Sequence, residues 1–206
     1  VMTRMGDTHV LCTAMVEDRV PMHRKDSGGG WLSAEYAMLP SANRIRKSHY
    51  QKVAGRSIEI QRIIGRSLRA AVDMNAVGER TIWIDCDVIQ ADGGTRTAAI
   101  TGGYVALICA LKSLQKEGKI SVVPVLNGVG AVSVGIVGGE PVLDLCYAED
   151  SVADVDMNVV ATHDEKVIEI QGTAELTPFS RDELDRMIDL ALRGITQLKE
   201  KQNEVL

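Results

Sequence analysis

Aromatic side chains are scarce in this 206-residue chain, at 3% of residues with a single Phe. Its core must therefore rest on Val, Ile, Leu, Ala and Met, and hydrophobic residues at 45% are enough for a sizeable interior. Paired cysteine motifs are missing. Cys12, Cys86, Cys109 and Cys146 lie far apart, each inside an apolar run, and read as buried free thiols of a reducing cytoplasm rather than a disulfide framework or a zinc site. The histidines His9, His23, His49 and His163 are equally scattered, so no metal is assigned to them. No apolar run reads as approaching the roughly 20 residues of a membrane span, and no signal peptide is visible. With no low-complexity stretch and no linker-like break, residues 1–206 read as one α+β or mixed α/β domain. Val1 stands where an initiator Met is usual and opens inside a strand-like pattern, so an N-terminal segment is expected to precede it.

The net charge of −5 hides a strong asymmetry. Between Ser41 and Arg69 lie Arg44, Arg46, Lys47, Lys52, Arg56, Arg62, Arg66 and Arg69, eight cations opposed by Glu59 alone. The stretch from Glu140 to Asp189 is instead dense in Asp and Glu. This distribution suits a phosphate-rich partner on one side with a metal ion near the other, and equally suits a solvated helix face on an ordinary charged surface.

His9 to Glu17 and Trp31 to Met38 read as strands joined through a Gly-rich link. Pro40 to Gly55 is polar and basic without apolar periodicity, a long loop. Ser57 to Met74 carries a helical stripe of Ile60, Ile63, Ile64, Leu68, Ala71 and Val72. Thr81 to Gln90 alternates as a half-buried strand, and Thr95 to Glu117 reads as a long helix stopped by Gly118. Several short strands follow from Val129 to Thr173. A last helix starts at Ser180, with Glu183 completing a capping box.

Two segments carry chemistry. Asp92-Gly93-Gly94-Thr95-Arg96-Thr97 joins a strand end to a helix start. Its glycines let backbone approach a bound group, the first helix amides point outward, and Thr95 and Arg96 add a hydroxyl and a planar fork for anion oxygens. The alternative is a capped turn in which Asp92 closes the loop and Arg96 meets a surface carboxylate. The second segment, LDLCYAEDSVADVDMNVV, holds Asp144, Glu149, Asp150, Asp154 and Asp156. Asp150 and Asp156 are candidates to hold a hard cation such as Mg²⁺; the alternative is a polar turn decorated with acids.

The order and length of these segments resemble the bacterial ribonuclease PH family. GDTHVLCTAMVE resembles its first strand pair, GGGWLSAEYAMLP its GWL-x-AEY-x-MLP segment, and GRSIEIQRIIGRSLRAAVD its long helix. TIWIDCDVIQADGGTRTAAITGG is similar to its phosphate loop, and LDLCYAEDSVADVDMNVV and IEIQGTAE follow in the same order. The resemblance spans nearly the whole chain.

It implies a ribonuclease PH-like fold of two sheet-and-helix halves with a left-handed β–α–β crossover, against the usual right-handed rule. It implies phosphorolysis: inorganic phosphate attacks the last phosphodiester of precursor tRNA and releases a nucleoside 5′-diphosphate, with nucleotidyl transfer as the reverse reaction. Gly94, Thr95 and Arg96 fall on the family's phosphate-binding positions and Arg56 on a further phosphate-contacting arginine. Asp150 and Asp156 fall on paired aspartates associated with catalysis and divalent metal. Arg44, Arg46, Lys47 and Lys52 would then hold RNA backbone without reading sequence. A hexameric ring, a trimer of dimers, is implied as the assembly. Two departures stand out: the family's basic N-terminal segment does not precede Val1, and the loop after Pro40 is a few residues shorter than the resemblance leads one to expect. An inactive RNA-binding ring subunit and a phosphate enzyme unrelated to RNA are the competing readings. The retained Arg56, Thr95, Arg96, Asp150 and Asp156 disfavour the first, and the basic loop disfavours the second.

Overall fold

A computed structural model describes residues 1–43, 45–46, 55–175 and 177–206. The first half forms β1 (Met2–Met5), β2 (Thr8–Glu17), β3 (Trp31–Met38), α1 (Gly55–Arg69), α2 (Met74–Val77), β4 (Thr81–Gln90) and α3 (Thr95–Lys116). The second forms β5 (Val129–Val137), β6 (Glu140–Leu143), α4 (Tyr147–Asp150), β7 (Val155–Thr162), β8 (Val167–Ala174) and α5 (Arg181–Val205). The four-stranded sheets run β1-β2-β4-β3 and β6-β5-β7-β8. All described pairs are antiparallel except β3 with β4, which are joined through α1 and α2 and so form the β–α–β unit.

Strand periodicity explains the layering. In β5, Val132, Val134 and Ile136 face α5, where they pack with Met187, Ala191 and Ile195. The alternate residues Val129 and Ala131 join the core around α3. Helix α3 thus lies between the sheets, sharing that core with Val10 and Cys12 of β2, Ile84 and Cys86 of β4, and Ile64 and Leu68 of α1. Burial of side chains this size contributes about 1.5–3 kcal/mol each before entropy is set against it. With 22 residues, α3 is long and apolar enough to cross a membrane by length and composition. That corrects the expectation that no such run exists; here the helix is mostly buried inside the protein.

Two further differences from sequence have local causes. The helix expected over Ser57–Met74 ends at Arg69. Ala71 and Val72 stay buried, but Val72 bridges to Val125 and Asp73 donates its amide to Pro124 O at 2.9 Å. Asp73 then caps α2, its side chain accepting from Asn75 N at 3.0 Å, so pairing with a distant segment overrides the helical stripe. Only Cys12 and Cys86 are buried, sitting directly opposite each other on β2 and β4. Cys109 is exposed because Leu107, Leu111 and Leu114 form the inward stripe at the end of α3. Cys146 is half-buried at the start of α4. The Ser180–Glu183 capping box of α5 is present, with Ser180 Oγ accepting from the Glu183 amide at 3.2 Å.

Candidate functional site

The face of the second sheet that is apolar beneath α3 turns polar beyond the helix N-terminus. On β5, Val129 and Ala131 are followed on the same face by Ser133 and Gly135; on β7, Val160 is preceded by Asn158 and Asp156. Register sets Ser133 opposite Asn158 and Gly135 opposite Asp156. The α3 N-terminus and the β4–α3 loop roof this polar area. Between them lies a cavity of about 240 Å³ lined by residues including Arg56, Gly94, Thr95, Arg96, Asp150 and Asp156. The six residues assigned from sequence to phosphate, catalysis and metal are thus brought together, although Arg56 and Asp156 are 100 positions apart in the chain.

The loop is fastened from below by Thr8, which is buried. Its hydroxyl donates to Gly93 O at 2.6 Å and accepts from the Asp92 amide at 2.9 Å. The side-chain cap by Asp92 that the alternative reading required does not form; Gly94 occupies the cap position in a left-handed conformation, φ 54°. Among the described residues no acceptor meets the amides of Thr95 and Arg96, both of which line the cavity, so these amides and the dipole of a 22-residue helix are turned toward it. Tyr36 donates its hydroxyl to Thr95 Oγ1 at 2.8 Å. Burial raises the Tyr36 pKa, so its hydroxyl stays protonated, and with Tyr36 donating, the Thr95 proton points away from this bond.

Arg96 partly follows the alternative reading. One of its terminal nitrogens lies 3.9 Å from Glu59 and also donates to Gln171 Oε1; Gln171 in turn donates to Glu59. The Arg96 side chain is 15% exposed and lines the cavity, so this pair positions it without closing the site. Arg56 lies in the first turn of α1, and its charge and that of Arg96 both act on Asp156.

On the carboxylate side, Asp150 ends α4 and Asp156 lies on β7. Asp156 has its pKa raised by burial first and by the Asp150 charge second, against the opposing pull of Arg96 and Arg56. Neither aspartate makes a salt bridge among the described residues. Two hard oxygen donors that repel across one cavity fit a divalent cation that keeps much of its water shell. Among the described residues no group of three or more His, Cys, Asp or Glu side chains forms a fuller cage. The other acids serve elsewhere: Glu149 accepts from the Cys146 amide at 3.0 Å, and Asp154 engages Ile136 and Glu175 through its backbone. Asp144, at φ 57°, has its pKa raised by burial and then by Glu149.

Of the basic positions expected to hold RNA, Arg46 is exposed, while Arg44, Lys47 and Lys52 lie outside the described residues. Sequence reasoning did not assign Ser133, Asn158, Tyr36 or Gln171 to the site. A lone serine within the apolar VGAVSVGIV strand was the available signal for Ser133.

Two sheet-and-helix halves with a cavity that sets helix amides and arginines against two carboxylates are an arrangement suited to an enzyme that handles phosphate groups. The chain belongs to the 3′ exoribonuclease family: the model of its domain 1 matches residues 1–112 and that of domain 2 residues 127–194. It is 56% identical over 209 residues to ribonuclease PH of Syntrophomonas wolfei, covering 100% of this chain and 87% of that protein. In fold it resembles a chain of the Archaeoglobus fulgidus exosome with RNA bound to the active site. The TM-score is 0.80 at 20% identity, over 97% of this chain and 81% of that one. A chain of an archaeal exosome core matches with a TM-score of 0.75 at 19% identity, over 97% and 78%.

Proposed function

We propose that the chain is a phosphorolytic 3′-to-5′ exoribonuclease, a phosphate-dependent tRNA nucleotidyltransferase that trims 3′ extensions of precursor tRNA. Inorganic phosphate is the co-substrate and nucleoside 5′-diphosphates are the products. The observation that carries this reading is the single cavity with free helix amides, Thr95, Arg96 and Arg56 on one wall and Asp150 with Asp156 on the other.

Two phosphates repel one another, so bringing them into contact needs fixed positive charge. The amides of Thr95 and Arg96, the Thr95 hydroxyl, the Arg96 guanidinium and Arg56 hold the attacking phosphate. One of its oxygens forms a bond to the phosphorus of the last phosphodiester, and the bond from that phosphorus to the penultimate O3′ breaks. The proton of the hydrogen phosphate balances the one gained by the departing O3′. Asp150 and Asp156 would hold Mg²⁺, which when bound supplies positive charge against the scissile phosphate and the leaving oxygen. Arg44, Arg46, Lys47 and Lys52 hold RNA backbone entering the site. A cytoplasmic homo-oligomeric ring of six, a trimer of dimers, is the assembly we propose.

The test is product identity. With 3′-extended RNA and Mg²⁺, nucleoside diphosphates should appear only when inorganic phosphate is present. Monophosphates formed without phosphate would rule the mechanism out. Arg96→Ala should raise the phosphate requirement or abolish turnover, and unchanged phosphate dependence would remove Arg96 from the site.

A further inference from the structure

In a chain this poor in aromatics, Tyr147 is the one Phe, Trp or Tyr exposed among the described residues. Tyr36 and Tyr104 are buried, and Trp31, Trp83 and Phe179 are half-buried. Tyr147 is 55% exposed, and its hydroxyl has no hydrogen-bond partner among the described residues. It lies one helical turn before Asp150 in α4 and lines the same cavity as Asp150, Asp156, Arg96 and Arg56. A ring that left water to pack α4 would be covered, and a tyrosine kept for its hydroxyl would have a partner. What this one presents is an open π surface beside the arginine and carboxylate groups of the cavity.

We propose that Tyr147 is the stacking platform for the base of the 3′-terminal nucleotide, the one released on cleavage. This rests on the reading of the cavity as an RNA 3′-end site. Phosphate contacts fix where the backbone lies but leave the terminal nucleoside free to swing. A flat ring at the rim restrains it and accepts every base, because each base has a π face. Tyr147 is thus a sequence-indifferent grip, complementary to the charged groups that hold the phosphates.

Two measurements test it. The first is phosphorolysis of a 3′-tailed RNA with Mg²⁺ and phosphate, in the unaltered protein, Tyr147→Phe and Tyr147→Ala. Tyr147→Ala should raise KM for RNA roughly five- to a hundredfold, as loss of one base–aromatic stack does, with the phosphate KM unchanged. Tyr147→Phe should stay within about twofold, since the ring remains. An RNA ending in an abasic nucleotide should be equally poor for all three. The second measurement needs no turnover: RNA whose terminal base is 2-aminopurine, bound without phosphate, should be quenched by the unaltered protein and Tyr147→Phe but not by Tyr147→Ala. If Tyr147→Phe loses as much as Tyr147→Ala, or the abasic RNA keeps the Tyr147→Ala effect, the ring supports α4 and the proposal fails while phosphorolysis stands. Quenching with no nucleoside diphosphate formed would instead keep the platform and overturn the assigned reaction.

Discussion

Adding one methyl group at Gly93 tests whether the anion loop and the carboxylate segment are held together as one rigid unit. Gly93 has φ 86°, a region unfavourable to L side chains. A Cβ there would meet the carbonyl oxygen of Leu145 well inside van der Waals contact, and would lie 3.0 Å from the Cys146 carbonyl carbon. Both obstacles are backbone, so neither can rotate away. The left-handed conformation costs Ala about 1–2 kcal/mol, and forced separation of packed backbone adds about 1–3 kcal/mol. Together these predict a loss of roughly 2–5 kcal/mol for Gly93→Ala, or about 4–20 °C in Tm for a chain of this size. Gly94 is the internal control. It has φ 54°, but its Cβ would meet side-chain atoms, Thr97 Oγ1 at 3.3 Å and Asp144 Oδ1 at 3.5 Å. Gly94→Ala should therefore cost the conformational share alone, about 1–2 kcal/mol. Displacing amides by even about 1 Å degrades positioning by up to a hundredfold, so Gly93→Ala should also raise the phosphate KM at least about tenfold. Scanning calorimetry and phosphorolysis rates at varied phosphate measure both effects. Equal melting of the two variants, with an unchanged phosphate KM in Gly93→Ala, would refute the backbone-contact argument.

Three other perturbations probe neighbouring parts. Asp156→Asn should nearly abolish turnover, leave RNA affinity little changed and raise Tm at neutral pH. The native carboxyl titrates above its ordinary 3.8, so the folded state binds more protons than the unfolded one between that value and its raised pKa. Stability is therefore lost as pH rises through that window, and the Asn variant escapes the loss; a lower Tm at pH 7 with no difference near pH 3 would reverse the sign. Thr8→Val should cost roughly 1–3 kcal/mol by removing the bonds to Gly93 O and the Asp92 amide, and should weaken phosphate use more than RNA binding, measured by separate KM titrations. Finally, we propose that residues 1–206 unfold as one unit, because Val129, Ala131 and Val160 share a core with α1 and α3. Calorimetry in the absence of ligands should give one transition, and two resolved transitions would divide the chain into its halves.

Local signals carried much of the fold. Trp31–Met38 and Thr81–Gln90 form strands over the bounds their patterns mark, and α3 starts at Thr95 directly after the Gly-Gly turn. These elements are set by residues a few positions apart. What escaped sequence reasoning depends on partners far along the chain. Arg69 ends α1 because the following residues pair near Pro124 and Val125. Thr8, not Asp92, closes the anion loop from 84 positions away. Gln171 steadies Arg96 across 75 residues, an arrangement that follows from its position opposite Asn158 on β7 and not from any local pattern.

The site owes its mixed character to where α3 begins. Beneath the helix, the shared face of β5 and β7 must be apolar, and Val129, Ala131 and Val160 make it so. Past the first turn of α3 that face has no helix to cover it, so Ser133, Asn158 and Asp156 stand there at low packing cost. The same helix terminus supplies unpaired amides and partial positive charge directly opposite those groups. One boundary therefore creates the wall of free amides that we assign to phosphate and exposes the carboxylate wall. Their separation is fixed by the contact of Gly93 with Leu145 and Cys146, which joins the loop after β4 to the segment before α4. A substitution that loosens this contact should impair phosphate use and the carboxylate chemistry together, whereas a change at Arg56, on the separate helix α1, should weaken phosphate use and leave the Asp150–Asp156 pair in place.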